Sequence, residues 1–348
     1  MRPSPILESV PNFSEGRRPS VVSAIVEAMA SVAGAAVLDV STGAAANRTV
    51  VTLAGPPEAV MEATFRGIAQ ASVRIDMRTH DGVHPRIGAA DVVPLVPVRG
   101  LTMADAAACA QDLAARVGAE LGIPVYRYGA AASAGRPGDL ASLRRGQYEG
   151  LKARICGGNL LPDDGPRHWS TTTARTGASA IGARDYLVAL NVTLESDDLA
   201  LARRIAASVR SNRALLRSRD GSVLRDEHGR PLRGPGPFPG VRAIGWRIAE
   251  YDRAQVSMNL VEPMRTPIHA VIDHIGALAR SAGVGVAGCE LIGLLPEAVL
   301  RRVGSDAGAR SDPVQAGFDA LRLDHLRPLG PEDVLLEARL RAAGLWDG

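Results

Sequence analysis

The order of apolar segments constrains this chain more than any single motif, because the same series of elements is run through twice. "ILESV" (6–10) has the length and composition of a short strand. A helix follows over Pro19–Val32, with Val22, Ile25, Val26 and Met29 on one face and Gly34 just past its end. "AAVLDVS" (35–41) and "RTVVTLAG" (48–55) read as paired strands. Pro56-Pro57 opens a second helix, and "DVVPLVPV" (91–98) closes the set as a strand. That is βαββαβ, extended by a helix over 102–121 and a strand over 123–129. The second half repeats the order. Strand 186–194 and helix 197–210, with Asp197 and Asp198 at its positive end, lead to strands 243–251 and 254–261. Helix 266–283, with Thr266 as N-cap and Pro267 at its first position, precedes strand 284–294. The fold class is therefore α/β (α+β), with two ferredoxin-like βαββαβ subdomains packed around a central cleft. Residues 1–180 form the first subdomain, 181–330 the second and 331–348 a tail helix.

Charge and composition exclude several functions. Lys152 is the only lysine, so nearly every cation is a guanidinium, suited to forked contacts with carboxylates or phosphates. Four Phe, five Tyr and three Trp in 348 residues leave little to stack bases on, which argues against nucleic acid as a partner. The stretch 211–242 is irregular and rich in Arg, Gly and Pro, and from Arg203 to Arg242 ten arginines stand against Asp220, Asp226 and Glu227; this reads as a solvated surface loop, or as a basic rim for anions. Cys109, Cys156 and Cys289 are odd in number and far apart, which favours a reducing compartment over a disulfide scaffold. The N-terminus lacks a signal core and no apolar run reaches 18 residues, so a cytoplasmic protein without a membrane partner is expected.

Motifs narrow the chemistry. Gly283-Val-Gly-Val-Ala-Gly288 matches GxGxxG, but it follows a helix and enters a strand, the reverse of a dinucleotide fingerprint. His269 and Asp273 lie four apart on one helix face, which reads as an internal hydrogen-bonded pair ahead of a catalytic one. The densest chemistry is "THDGVHPRIGAADVVP" (79–94), for which three readings stand. It is a turn whose histidines cap neighbouring backbone; or His80, Asp81, His84 and Asp91 surround a metal; or His84 is a general base beside an anion fork. In the last, Pro85 holds His84 extended, Gly82 and Gly88 permit unusual dihedrals, and Arg86 shares a face with His84.

At this point the residues resemble a known family. "VPNFSEGR" (10–17), "NRTV" (47–50), "HPRIGAADVVPLVPVRG" (84–100), "PVYRYG" (124–129) and "RRGQYEGL" (144–151) are similar to the glutamate formimidoyltransferases, the transferase half of the bifunctional formiminotransferase–cyclodeaminase. "PDDGP" (162–166), "IGAR" (181–184), "AIGW" (243–246), "AQVSMNL" (254–260), "ELIGLLP" (290–296) and "LRLDHLRPL" (321–329) carry the resemblance to about residue 340. It implies a homodimer with a folate-binding tunnel between two subdomains, tetrahydrofolate as co-substrate, and transfer of a formimidoyl group from N-formimidoylglutamate to N5 in histidine degradation. It implies His84 as the catalytic acid/base, with no metal. It also implies contacts to folate or glutamate from Asn12, Ser41, Asn47, Arg48, Arg86, Gly165, Pro166, Thr176, Gly177 and Arg184. Arg48, Arg86 and Arg184 are the expected carboxylate clamps. The cyclodeaminase is expected to be a separate protein.

The chain departs from the family at Asp81 and Val83, where HKGEHPR is usual, and at Ser41, where an acid is usual. It departs again at Asp164, where DFGP is usual, and in a longer loop after Pro166. Two other functions fit these changes: transfer of a formimidoyl or formyl group between folate and another amine, and folate binding without catalysis.

Overall fold

A computed structural model describes residues 4–158, 160–216, 218–227, 229, 231–248 and 252–346. The chain divides into two compact units, Met1–Asp185 with Leu340–Gly348, and Tyr186–Arg339.

In the first unit the chain runs β1 (Ile6–Ser9), β2 (Asn12–Phe13), α1 (Pro19–Ala30), β3 (Ala36–Gly43), β4 (Arg48–Gly55), α2 (Pro57–Arg74) and β5 (Ala90–Arg99). It continues through α3 (Met103–Leu121), β6 (Val125–Gly129), α4 (Leu140–Leu143), α5 (Leu151–Cys156), α6 (Thr171–Thr176) and β7 (Ser179–Ala183). β1 and β2 are one strand with a break, since both pair antiparallel with β4 on one side and β5 on the other. With β3 against β4, this gives the ferredoxin-like order, all antiparallel. β7 and β6 then extend the sheet beside β5 in parallel.

Alternation along the strands sorts the two faces. Val93, Leu95, Val125, Ile181 and Ala183 are buried in the core made with α1, α2 and α3. Val92, Tyr126, Tyr128 and Ala180 are buried on the other face with Leu143, Leu151 and Ile155 from α4 and α5. Burial of this kind contributes about 1.5–3 kcal/mol per large apolar side chain. α3 starts on a capping box, Thr102 with Asp105.

The second unit contains β8 (Val188–Leu194), α7 (Leu199–Val209), β9 (Asn212–Leu215), β10 (Arg233–Pro235), β11 (Val241–Ile248), β12 (Arg253–Leu260), α8 (Ile268–Ser281) and β13 (Val286–Ile292). Its four-stranded sheet runs β11-β12-β8-β13, antiparallel throughout, so it too is ferredoxin-like. Helices α9 (Glu297–Asp306), α10 (Pro313–Ala320), α11 (Pro331–Val334) and α12 (Leu336–Ala342) complete the chain. Asp198 caps α7 by accepting from the Leu201 N–H at 2.9 Å.

Several details differ from the sequence reading. Strand β7 spans the expected boundary at 180/181 and belongs wholly to the first sheet. The expected tail helix is two short helices, and Leu340 onward returns to the first unit, with residues 347–348 outside the described ones. The strand expected over 243–251 is β11, of which 249–251 lie outside the described residues. The stretch 211–242, expected as irregular, holds the antiparallel β9–β10 pair; Arg217 and Arg230 within it lie outside the described residues. Pro267 occupies the N-cap of α8, and the Thr266 hydroxyl instead donates to the Pro239 carbonyl at 2.7 Å. The His269–Asp273 bond is not formed: His269 Nδ1 is buried with no partner among the described residues.

Candidate active site

The N-terminal signature is a clamp for two loops. The Asn47 side chain accepts from Gly16 N–H at 3.0 Å and donates to the Asp81 carbonyl at 2.8 Å. Asn47 has φ +46°, a left-handed conformation that Asn tolerates better than most residues. Ser14 donates through Oγ to the Gly88 carbonyl at 2.7 Å and through its N–H to Ala89. Gly16 is required by close approach, because a Cβ there would lie 2.4 Å from the Gly43 carbonyl oxygen. The chemistry-bearing segment 79–91 is thus tied to the turn before β4.

Asp91, fully buried at the start of β5, is the hub of the site. Its Oδ1 accepts from Ile87 N–H at 2.8 Å, and its Oδ2 takes Arg48 Nη1 at 2.7 Å and Arg144 Nη2. Burial pushes the Asp91 carboxyl up, but Arg144 and Arg48 outweigh it and hold the pKa at about 2. Burial brings Arg48 down to about 10, with Asp91 opposing. Arg48 Nε also donates to Asn12 Oδ1 at 3.1 Å, and Asn12 Nδ2 is spent on the Val10 carbonyl at 2.7 Å. Two guanidiniums share one carboxylate, so the cluster carries an excess positive charge.

His84 lies beside this cluster, partly buried. Its Nδ1 is 2.8 Å from the Pro85 carbonyl oxygen, which can only accept. The proton of the neutral ring therefore sits on Nδ1, and Nε2 carries the lone pair. Burial first, then the charges of Arg48 and Arg144, hold His84 well below the usual imidazole range, against Asp91. At neutral pH the ring is uncharged and basic at Nε2.

Arg86 is not the open anion fork expected beside His84. It makes five hydrogen bonds, one for each N–H: to Nδ1 and the carbonyl of His80, to Gln147, and twice to Glu149, at 2.7 and 2.9 Å. Because His80 Nδ1 accepts from Arg86, its Nε2 donates to the Asn47 carbonyl at 3.0 Å. His80 and Arg86 form a brace. Asp81 points outward to Arg17, at 2.8 Å with 80% of its side chain exposed. The four residues weighed as metal ligands thus face different partners, and no group of three or more His, Cys, Asp or Glu side chains converges among the described residues. Gly82 and Gly88 do not have positive φ. They are needed for space: a Cβ would lie 2.4 Å from the Ala46 carbonyl at Gly82, and 2.2 Å from that of Ala178 at Gly88.

The remaining expected residues divide. Thr176 and Gly177 abut the segment, since Ala89 N–H donates to the Thr176 carbonyl at 2.8 Å and Gly88 bridges Gly177. Thr176 is buried and its hydroxyl bonds the Thr172 and Gly177 carbonyls. Gly165 packs on Gly118 of α3, where a Cβ on Gly118 would lie 2.5 Å from the Gly165 nitrogen, and Pro166 follows it. Ser41 donates to Asp39 Oδ2 at 2.8 Å, which puts a carboxylate two residues from the position where the family's acid is expected. Arg184 donates through Nη1 to the Asp185 carbonyl at 2.8 Å and acts on the buried Tyr128 hydroxyl. Burial raises that phenol to about 12, with Arg184 and Arg144 pulling it down.

Sequence reasoning did not single out Arg144, Tyr128 or Glu149, and it took Asp91 only as a possible metal ligand. Arg144 and Tyr128 lie in the quoted stretches "RRGQYEGL" and "PVYRYG", the one signal that could have found them.

Two family matches cover most of the chain. Residues 6–184 match the model of the formiminotransferase domain, N-terminal subdomain, and residues 189–306 that of the formiminotransferase domain. A formimidoyltransferase-cyclodeaminase of Rattus norvegicus is 36% identical over 365 residues, covering 97% of this chain and 63% of the relative. Glutamate formimidoyltransferases of Thermoplasma acidophilum and Streptococcus pyogenes are 37% and 35% identical, covering 85% of this chain and 89% and 90% of theirs. The chain spans less than two thirds of the length of the rat protein. Both halves of the fold are matched in register with the two units, and the chain belongs to the formiminotransferase domain family.

Proposed function

We propose that this chain transfers a formimidoyl group from N-formimidoyl-L-glutamate to N5 of tetrahydrofolate, in keeping with its bacterial and archaeal relatives, which are glutamate formimidoyltransferases. The observation that carries the reading is His84 held neutral, with its lone pair on Nε2, beside a cluster with excess positive charge. A neutral imidazole takes the proton that N5 loses as N5 bonds to the formimidoyl carbon. The same ring returns a proton to the glutamate nitrogen as its bond to that carbon breaks. The conjugate acid of such a depressed imidazole is a strong proton donor, which suits the second step. Arg48 and Arg144 supply charge for substrate carboxylates. Folate as co-substrate, a role in histidine degradation, a homodimer and a cytoplasmic setting complete the proposal; among the described residues no helix is long and apolar enough to cross a membrane.

A different one-carbon donor is the second reading, favoured by Val83, 51% exposed beside His84, and by Ser41. Purified protein is mixed with tetrahydrofolate, formimidoylglutamate and a cyclodeaminase, and methenyl-tetrahydrofolate is followed by absorbance. Turnover is expected, and His84→Ala lowers kcat by about 10²–10⁴-fold. An unchanged rate in that variant sinks the role of His84. Folate binding without turnover of this donor moves the reading to another donor or to a non-catalytic protein.

A further inference from the structure

Among the described residues, five buried side-chain donors of the first unit lack a partner, those of Ser9, Thr52, Thr64, Tyr128 and Arg144, and the last two belong to the charged cluster beside His84. Tyr128 is 4% exposed, and its hydroxyl has no hydrogen bond of good geometry among the described residues. Arg184 acts on that oxygen as a cation and leaves the O–H proton without an acceptor. Arg144 spends Nη2 on Asp91, while its Nε–H is buried and unpartnered. A buried polar group left unpaired costs about 1–3 kcal/mol; what sets Tyr128 and Arg144 apart from the three hydroxyls is that both stand in one charged cluster beside the histidine, where a single anion answers both.

Neither side chain is loosely held. The Tyr128 ring lies over Gly182 of β7, where a Cβ would come within 2.6 Å of Cδ1. Register pairs Tyr128 with Gly182, and Gly182 with Pro94 of β5, so the ring reaches across the sheet towards the strand that carries Asp91. Arg144 caps the end of α4, and Arg154 fixes that turn by donating to the carbonyls of Leu143 and Arg145. Around these donors stand Arg48, Arg144 and Arg184 against Asp91. A water molecule would satisfy the two donors and leave the charge unbalanced; a carboxylate satisfies both.

We propose that the Tyr128 hydroxyl and Arg144 Nε form the seat of a substrate carboxylate. This rests on the transfer reading, in which that carboxylate belongs to the amino-acid donor or to the glutamyl tail of folate. Arg144 bonds Asp91 and acts on His84, so a carboxylate held here anchors its substrate next to the proton carrier. The seat replaces Arg86, whose donors are all used within the protein.

Tyr128→Phe removes one oxygen and no charge, and Arg144→Lys keeps the charge while losing Nε–H. In Tyr128→Phe the melting temperature of the ligand-free protein stays level or rises, because the hydroxyl had no partner. KM for the substrate that carries the seated carboxylate rises about 10- to 100-fold in either variant. A rise confined to formimidoylglutamate assigns the donor. A rise for tetrahydrofolate and not for tetrahydropteroate, which lacks the glutamyl group, assigns the folate tail. Unchanged KM values for both overturn the seat. Thermal protection by L-glutamate, and by tetrahydrofolate relative to tetrahydropteroate, is measured alongside. If wild type fails to turn over formimidoylglutamate, the transfer reading falls; protection lost in Tyr128→Phe still supports the seat, and equal or absent protection overturns it.

Discussion

At the scale of single residues the site is governed by how two guanidiniums are balanced. His84 is pressed towards its neutral form by burial, Arg48 and Arg144, with Asp91 opposing. A histidine depressed in this way keeps its base form as the pH falls through 6.5. The acid limb of kcat/KM is therefore expected below pH 6.5, and a pH–rate profile with a midpoint at or above 6.5 would contradict it. Asp91 shows the opposite linkage. Its folded pKa of about 2 lies below the unfolded value near 3.8, so its contribution is complete above about pH 4 and is lost as pH falls towards 2. Asp91→Asn leaves two buried arginines without their counter-charge and should cost about 3–5 kcal/mol at pH 7, read as a lower urea midpoint. The cost should shrink as the wild type is taken below pH 4. The residues that could be read from sequence were those whose local pattern carries chemistry, above all His84 before Pro85. Arg86 misled because strand parity predicts which face a side chain is on, and not that His80 and Glu149 will consume it.

At the scale of elements, periodicity identified the strands with large β-branched residues and missed the very short ones and one built of small residues. β7 is "SAIGA", five buried residues of which only Ile181 has bulk. Its smallness is its function in the sheet, since Gly182 leaves room for Tyr128. Nothing within the five residues shows this, because the reason lies on β6. Gly182→Ala puts a Cβ 2.2 Å from the Tyr128 carbonyl oxygen and 2.6 Å from its ring. The variant should lose about 1–3 kcal/mol by thermal or chemical denaturation. It should also weaken substrate binding in step with Tyr128→Phe; a destabilised Gly182→Ala with wild-type KM would show that the ring position does not matter to binding. Thr266 misjudged the start of α8 for a related reason: the Pro239 carbonyl, 27 residues away, takes its hydroxyl.

At the scale of the whole chain, the doubled βαββαβ order was legible because each half repeats the same alternation of periods 2 and 3.6. The site was legible only in part, because its members come from β4, the segment before β5, the end of α4 and β6. The tail is the clearest instance of a long-range pairing hidden from sequence. Leu340–Gly348 belongs to the first unit although it follows the whole of the second. Leu340 is fully buried, Arg99 Nη2 donates to the Leu345 carbonyl at 3.1 Å, and the Arg99 guanidinium lies 4.7 Å from the Trp346 ring centre. The same arginine reaches the Ser4 carbonyl, so the end of β5, the start of the chain and its tail meet on one side chain. Ending the chain after Arg339 should therefore destabilise the first unit by several kcal/mol, mostly through lost apolar burial, with Trp346→Ala alone costing about 0.5–2 kcal/mol. Amide hydrogen exchange separates this from general loosening. Protection should fall in β1 and β5 and hold in β8 and β12, and equal loss in both sheets would show that the tail is not specific to the first unit.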